Sequence, residues 1–462
     1  MSVHDVLLAM LPEHLLLVGI LLLIGFEVVS LEVRSVAALA VAAVLAATAA
    51  AFWLAATGYV GEPFAGQFAV APAGSAAKAI VLALALPVLL MARDDFERDH
   101  RFHALVLSSL YGFCLLLSSD SFLTLFLGIE MMSLPVYVLV LLGFRRPESA
   151  EAALKYLVLS GAASATFLMG AALLYGASGS LALSAFAAAL GTPGPMATAA
   201  VVLVVVAFFL KAAVVPFHAW APDAYEGATL PVTAYMATVI KAGVLLAAVR
   251  LFAAAPLTGA MVGLVAMLPL VSIVWGNLAA MRQASFRRMI AYSSIAHAGY
   301  LFYALLGDAP GRFQAILFYV LAYGLMNILA LACIPAGADD AGRDRLDNLK
   351  GLFHRSPFAA VMIGIAMLSL AGIPPFPGFV AKFLIFKNVM AAGYTTYAVL
   401  GLVGSYLGIY FYLRVIQHLF MSPQEASTGQ GPPSRAALGA ALLCLIPVIA
   451  VAVFPGWVID RL

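Results

Sequence analysis

Residues 201–251 read VVLVVVAFFLKAAVVPFHAWAPDAYEGATLPVTAYMATVIKAGVLLAAVRL. A helix-length apolar run carries one lysine, Lys211, and is interrupted by Pro216, with Pro222 and Pro231 following. A second apolar run then carries Lys241 near its middle. Proline removes a backbone donor and clashes with the preceding turn, so the first run is expected to be a broken helix. A charge in the middle of a membrane span costs roughly 2.5–3.5 kcal/mol on insertion scales. Irregular backbone at that depth is tolerated only where protein or a wet cavity satisfies it. Two such lysines beside a break imply a polar, hydrated interior, with the rest of the chain as its shell.

The composition agrees. Of 462 residues, 64% are hydrophobic and 10% charged, against about 25% charged in soluble domains. The fold expected is an all-α integral membrane protein, one polytopic domain over residues 1–462. Cys114, Cys333 and Cys444 lie in apolar runs with no CxxC pair, which argues against zinc or iron–sulfur ligation. No GxGxxG follows a strand pattern, so no nucleotide site is expected. The opening MSVHD has no Lys or Arg, so the first apolar run reads as an uncleaved first helix rather than a signal peptide.

Runs long enough to span fall near 11–30, 34–57, 76–92, 102–118, 120–142, 150–175, 197–222, 231–252, 259–279, 286–306, 312–335, 358–390, 395–421 and 435–456. That is about fourteen transmembrane helices. Alternate loops carry Arg34; Arg93, Arg98 and Arg101; Arg145 and Arg146; Arg282, Arg287 and Arg288; Arg343, Arg345, Lys350 and Arg355; and Arg435. The opposite loops carry little beyond Lys78, Arg250 and Arg312. The basic set is expected in the cytoplasm, which puts both termini on the periplasmic side and requires an even number of spans.

A second interruption lies in SLAGIPPFPGFVAK, residues 369–382. Two broken helices in separate halves point to internal repeats and to the transport site. They are helices 7 and 12. Helices 4–8 (residues 101–252) then match helices 9–13 (259–421), and an offset of five inverts the topology. Helices 1–3 (residues 1–100) precede these two inverted five-helix repeats, and helix 14 (435–456) follows them.

The ionisable residues near mid-span are Glu130, Lys211, Lys241, His297 and Lys382. Unpaired, they would cost on the order of 10 kcal/mol together. They are tolerated if they share an interior, pair, or change protonation. A row of such groups suits a proton relay. Lys211 is the nearest central opposite charge for Glu130 in the order of helices. Lys155 stands near the cytoplasmic start of span 6, where it could snorkel. His218 either satisfies backbone groups freed by Pro216 or joins the wire. Asp223 and Glu226 are expected to cap the short segment after the break.

The stretches LKAAVVPFHAWAPDAYEGATLPVTAYMATVIKAG (210–243), GNLAAMRQASFRRMIAYSSIAHAGY (276–300), LAGIPPFPGFVAKF (370–383) and LFLGIEMMSLPVYVLV (125–140) resemble the antiporter-like subunits of proton-pumping NADH:quinone oxidoreductase, respiratory complex I. Within that family the chain is most similar to the N branch, with no lateral helical arm and with Lys382 in helix 12. The resemblance implies that Glu130 and Lys211 form the family's ion pair. It places Lys241 and His297 on a central hydrophilic axis, Lys382 at its terminal lysine and Lys155 at a further lysine. It implies no cofactor in this chain, with FMN, iron–sulfur clusters, NADH and quinone in partner subunits. The implied partners are the antiporter-like subunit M, the small subunit K, the lateral helix of subunit L and the lipid bilayer of the bacterial inner membrane, with no nucleic acid. Subunits of multi-subunit cation/proton antiporters and of membrane-bound hydrogenases share these broken-helix motifs and stay open as alternatives.

Overall fold

The structure, a computed structural model, describes residues 3–30, 34–96, 99–142, 147–191, 194–252, 257, 259–307, 309–337, 344–421 and 430–461. Arg98, Arg145, Arg146 and Arg343 of the expected cytoplasmic set lie outside the described residues.

Among the described residues thirteen helices are long and apolar enough to cross a membrane. They are Leu11–Val28, Val36–Ala56, Pro72–Met91, His100–Ser118, Phe122–Leu142, Pro147–Ser178, Pro195–Ala212, Leu230–Phe252, Met261–Ala280, Phe286–Leu306, Gly311–Ala332, Thr395–Phe420 and Arg435–Val453. The interrupted pair Pro357–Ala371 and Pro377–Ala391 completes the expected set as span 12. Two short antiparallel strand pairs sit outside the helices, Gly61–Phe64 with Phe68–Val70 and Ala336–Gly337 with Gln430–Gly431. Spans 8, 10 and 11 are almost wholly buried, whereas only 28% of the residues in spans 1 and 14 are. The centre of the molecule is therefore the set of helices that carries Lys241 and His297.

Of the three prolines after Lys211, only Pro216 breaks a helix. Span 7 runs to Ala212 and resumes as Trp220–Gly227, five residues past the expected end at 222. Pro222 lies in the first turn of that second half, and Pro231 in the first turn of span 8. The missing N–H has no intrahelical partner there, so proline costs little. The first half of span 7 closes on Ala213, whose φ of +60° is left-handed. That conformation costs a non-glycine residue roughly 1–2 kcal/mol. It lets the N–H groups of Ala213 and Val214 reach the carbonyls of Leu210 and Phe209.

The basic residues expected in the opposite loops are not loop residues. Lys78 is buried in span 3, donating to Glu13 Oε1 of span 1 at 2.5 Å and to Ser118 Oγ of span 4 at 2.6 Å. Arg250, in the last turn of span 8, donates to the Leu117 carbonyl. Arg312, in span 11, donates to the carbonyls of Gly307 and Phe252. Long cationic side chains at span ends have found free carbonyls, which are abundant where helices stop.

On the side of the basic loops, Asp344 is buried and accepts from Arg287 Nε at 2.9 Å, the Arg287 N–H at 3.0 Å and Ser285 Oγ at 3.1 Å. Arg287 also donates to the Ala228 carbonyl. This clasp ties the segment before span 12 to the start of span 10 and to the turn between spans 7 and 8. Burial alone would raise the Asp344 carboxyl, but Arg287 and Ser285 hold it below the usual aspartate range.

Candidate functional site

The polar interior begins where spans 5, 6 and 7 meet. Lys211 lies in the last turn of the first half of span 7, and its Nζ donates to Glu130 Oε1 of span 5 at 2.9 Å. It also donates to Ser160 Oγ of span 6 at 2.7 Å and stands 3.5 Å from Ser133 Oγ. Ser164 donates to the same Glu130 oxygen, and Tyr137 donates to Ser160 at 2.5 Å. The pair is thus flanked by three hydroxyls, Ser160 and Ser164 of span 6 and Ser133 of span 5. A cavity of about 10 Å³ opens beside it, lined by Phe126, Ala163, Phe167 and Phe208 among others. That is near the lower limit for one water.

The break in span 7 places its freed backbone groups on named partners. The Leu210 carbonyl accepts from Trp220 Nε1 at 3.0 Å, and the Val215 N–H donates to Ser272 Oγ of span 9 at 2.6 Å. The Ala212 carbonyl accepts from Lys241 Nζ at 3.3 Å. Lys241 also donates to the Ser294 carbonyl of span 10 at 2.8 Å. One π-helical turn, Met236–Ile240, immediately precedes Lys241 in span 8. Such turns are rare and re-aim the residues beside them.

Span 10 extends the row. Ser294 Oγ lies 3.2 Å from the Tyr225 hydroxyl, and Ser293 Oγ lies 2.5 Å from that of Tyr412 in span 13. The Tyr412 hydroxyl lies 3.2 Å from His297 Nε2, and the Tyr319 hydroxyl of span 11 lies 2.7 Å from His297 Nδ1. The rings of Tyr300 and Tyr323 pack on the imidazole.

Tyr300 leads to the last lysine, since Lys382 Nζ stands 5.0 Å from the centre of its ring. Lys382 donates to the carbonyls of Leu370 and Ala371, both at 3.1 Å, and to Ser405 Oγ at 3.0 Å. Those carbonyls end the first half of span 12, which closes on Gly372 at φ +82°. The second half starts against it so closely that a Cβ on Gly378 would lie 1.8 Å from the Ser369 carbonyl oxygen. Lys241 and Lys382 hold equivalent places. Each puts an ammonium on the open carbonyl end of a half-helix, where the helix dipole is negative.

The structure therefore brings together Glu130, Lys211, Lys241, His297 and Lys382, and leaves two expected members outside. Lys155 has 44% of its side chain exposed and pairs with Glu151 and Asp223, each at 2.7 Å. It belongs to a surface network in which Arg288 joins Asp223 at 2.8 Å and Glu226 at 2.9 Å. Asp223 and Glu226 accordingly do not cap their short helix, which begins at Trp220 and has no side-chain cap at Ala219. Opposite charges on spans 6 and 10 lie within their reach. His218 is half-buried at the break, within reach of the backbone at Pro216, and no hydrogen bond joins it to the lysines. Its Nε2 accepts from Trp275 Nε1 of span 9 at 3.0 Å. Sequence reasoning missed Ser160, Ser164, Tyr319 and Tyr412, whose signal was only a hydroxyl in an apolar run, and it missed the Glu13–Lys78 pair.

Comparison with known proteins places the chain in a family. The family described as NADH:quinone oxidoreductase/Mrp antiporter, TM, matches residues 119–408. NADH-quinone oxidoreductase subunit N of Pelobacter propionicus is 40% identical over 445 residues, covering 95% of each chain. A chain in the structure of respiratory complex I from Thermus thermophilus with bound aureothin is 35% identical, with a TM-score of 0.85 over 97% of this chain and 98% of that one. A chain of the Mrp complex from a Dietzia species superposes with a TM-score of 0.85 at 21% identity, over 100% of this chain and 96% of that one, which shows a shared fold. The chain belongs to the NADH:quinone oxidoreductase/Mrp antiporter family of transmembrane subunits.

Proposed function

We propose that this chain is the proton-translocating N subunit of an NADH:quinone oxidoreductase. In this reading it moves protons across the bacterial inner membrane through Glu130, Lys211, Lys241, His297 and Lys382. The observation that carries the reading is the row itself. Five ionisable side chains occupy the interior of an apolar helical bundle, linked or flanked throughout by hydroxyls and open carbonyls. A static scaffold has no use for so costly a set. The likeness to the Pelobacter subunit over nearly the whole chain favours an NADH:quinone oxidoreductase, because the Mrp likeness speaks to fold alone. FMN, iron–sulfur clusters, NADH and quinone then belong to partner subunits.

The two broken helices support inverted repeats, helices 4–8 and 9–13. By the alternation of spans, helix 7 and helix 12 cross in opposite senses, and each ends its first half on a lysine-capped carbonyl end. With the basic loops in the cytoplasm, both termini are periplasmic. The breaks also speak to partners. Pro216 and Ala219 in one, and Pro374 and Pro375 in the other, are exposed on the outside of the chain. Irregular backbone is not left facing lipid, so neighbouring protein covers these places. The lateral helix of subunit L and the adjoining subunits M and K are the partners the family supplies.

The test is purification in the native membrane assembly, followed by Lys241→Ala. The assembly is expected to hold flavin and iron–sulfur centres. The variant is expected to retain NADH oxidation with an artificial acceptor and to lose quinone-coupled proton uptake. A flavin-free assembly that exchanges sodium for protons would replace this reading with the antiporter one.

A further inference from the structure

The hydroxyls around His297 suggest a more specific device. We propose that Tyr412 and Tyr319 bracket His297 as a reversible bridge that passes one proton at a time between Ser293 and Tyr319. The proposal rests on the proton-translocating reading above and deepens it.

The geometry is a chain of four side chains on three helices. Ser293 and His297 stand one turn apart on span 10, Tyr319 is on span 11 and Tyr412 on span 13. The links are Ser293 Oγ to the Tyr412 hydroxyl at 2.5 Å, that hydroxyl to His297 Nε2 at 3.2 Å, and His297 Nδ1 to the Tyr319 hydroxyl at 2.7 Å. All four residues are buried. Both imidazole nitrogens thus face a hydroxyl, and a hydroxyl can donate or accept. A neutral imidazole has one N–H, so it donates at one nitrogen and accepts at the other.

Two polarities satisfy the same heavy-atom positions. In the first, Ser293 donates to Tyr412, Tyr412 donates to Nε2, and the Nδ1–H donates to Tyr319. In the second, Tyr319 donates to Nδ1, the Nε2–H donates to Tyr412, and Tyr412 donates to Ser293. A proton arriving at Ser293 in the first polarity moves the chain to the second. Ser293 binds it and gives its own proton to Tyr412. Tyr412 gives its proton to Nε2, Nδ1 gives its proton to Tyr319, and Tyr319 releases one. At each atom one bond to hydrogen forms and one breaks, and the charge on every group is restored.

Passage leaves the bridge pointing backwards. A second proton in the same direction must wait until the polarity is reset, and the packed rings of Tyr300 and Tyr323 hinder rotation of the imidazole. Residues adjoining Ser293 and His297 contact the two central lysines. The carbonyl of Ser294, next to Ser293, holds Lys241, and Tyr300, packed on His297, underlies Lys382.

The experiment uses the whole membrane-bound complex with Tyr412→Phe, Tyr319→Phe and the double variant, which keep the rings and remove the links. Each single change is expected to lower coupled proton uptake and quinone reduction together, on the order of 100-fold or more. The solvent deuterium isotope effect should rise, and oxidation of NADH by an artificial acceptor should stay unchanged. The double variant should be no slower than the slower single, because the links lie in series. Losses that multiply, or that come without a larger isotope effect, would assign the tyrosines to packing and overturn the bridge. Ser293→Ala leaves both rings in place and is expected to show the same loss if a Phe variant fails to assemble; normal uptake by it overturns the bridge. Lys241→Ala in parallel separates the two levels. Normal uptake by the tyrosine variants beside a dead Lys241→Ala removes the bridge alone, while normal uptake by Lys241→Ala removes the relay reading with it.

Discussion

Glu130→Gln isolates the charge of the ion pair from its shape. The amide keeps the size of the side chain and an oxygen that can accept from Lys211 and Ser164. At 2.9 Å, with an effective dielectric near 20, the lost attraction is roughly 6 kcal/mol. Glu130 is 18% exposed, so solvent takes part of this. The contact of Lys211 with Ser160 at 2.7 Å survives. A net loss of about 3–5 kcal/mol is the expected scale for breaking such a pair. That corresponds to roughly a 150- to 5,000-fold weaker hold on the ammonium. Glu130→Asp retreats by about one C–C bond, 1.5 Å, and keeps roughly 4 kcal/mol of the attraction. Proton uptake and NADH:quinone turnover in inverted membrane vesicles should therefore fall in the order native, Asp, Gln. Artificial-acceptor activity serves as the measure of assembly. An assembled Gln variant that pumps at the native rate would refute the pair's part in the path. A Gln variant that pumps normally but melts earlier would make it a brace.

Lys211→Arg keeps the charge but cannot release a proton, since arginine stays protonated below about pH 12; the assembled variant should pump poorly, and near-native pumping beside a dead Lys211→Ala would make Lys211 a fixed charge. Glu13→Gln leaves Lys78 buried without a counter-charge and should cost about 3–5 kcal/mol. Glu13→Leu combined with Lys78→Met should recover most of that in thermal melts, and a double variant as unstable as the single would show that the charges do more than balance each other. Asp344→Asn should loosen the clasp to Arg287 and lower the melting temperature of the complex at neutral pH. Because the folded carboxyl of Asp344 sits below the usual aspartate range, its stabilisation is complete above that range and is lost as pH falls through the lowered value. The Asn variant should therefore lose less stability than the native protein on acidification, and parallel melting curves would refute the assignment.

What could be read from the chain followed from cost. Glu130, Lys211, Lys241, His297 and Lys382 stood out because a charge or imidazole in an apolar run is expensive, and the structure gathers all five. Both breaks were legible from proline, although only Pro216 interrupts helix 7, because Pro222 and Pro231 occupy first turns that lack the bond proline removes. Hydroxyls were not legible. Ser160 and Tyr412 cost little on any apolar scale, and only the packing of spans 6 and 13 shows that they meet Lys211 and His297. Lys78 was misjudged for the opposite reason, while Lys155 keeps the interfacial place its snorkelling reading allowed. Both stand near helix starts, and the sequence does not say that Lys78 turns inward to Glu13 while Lys155 turns outward to Asp223.

Lys241 and Lys382 grip the open ends of two interrupted helices, and this makes charge a mechanical quantity here. A cation at a helix C-terminus is held by roughly 0.3–2 kcal/mol, depending on burial. A lysine that gives up its proton keeps donors but loses that share of its hold, and the half-helix it restrained is freer to shift or turn. In span 7 the restrained end carries Lys211 one residue before the gripped carbonyl. A change in the charge of Lys241 would thereby be written into the position of its neighbour, so that the arrival or departure of a proton would become a small displacement of backbone.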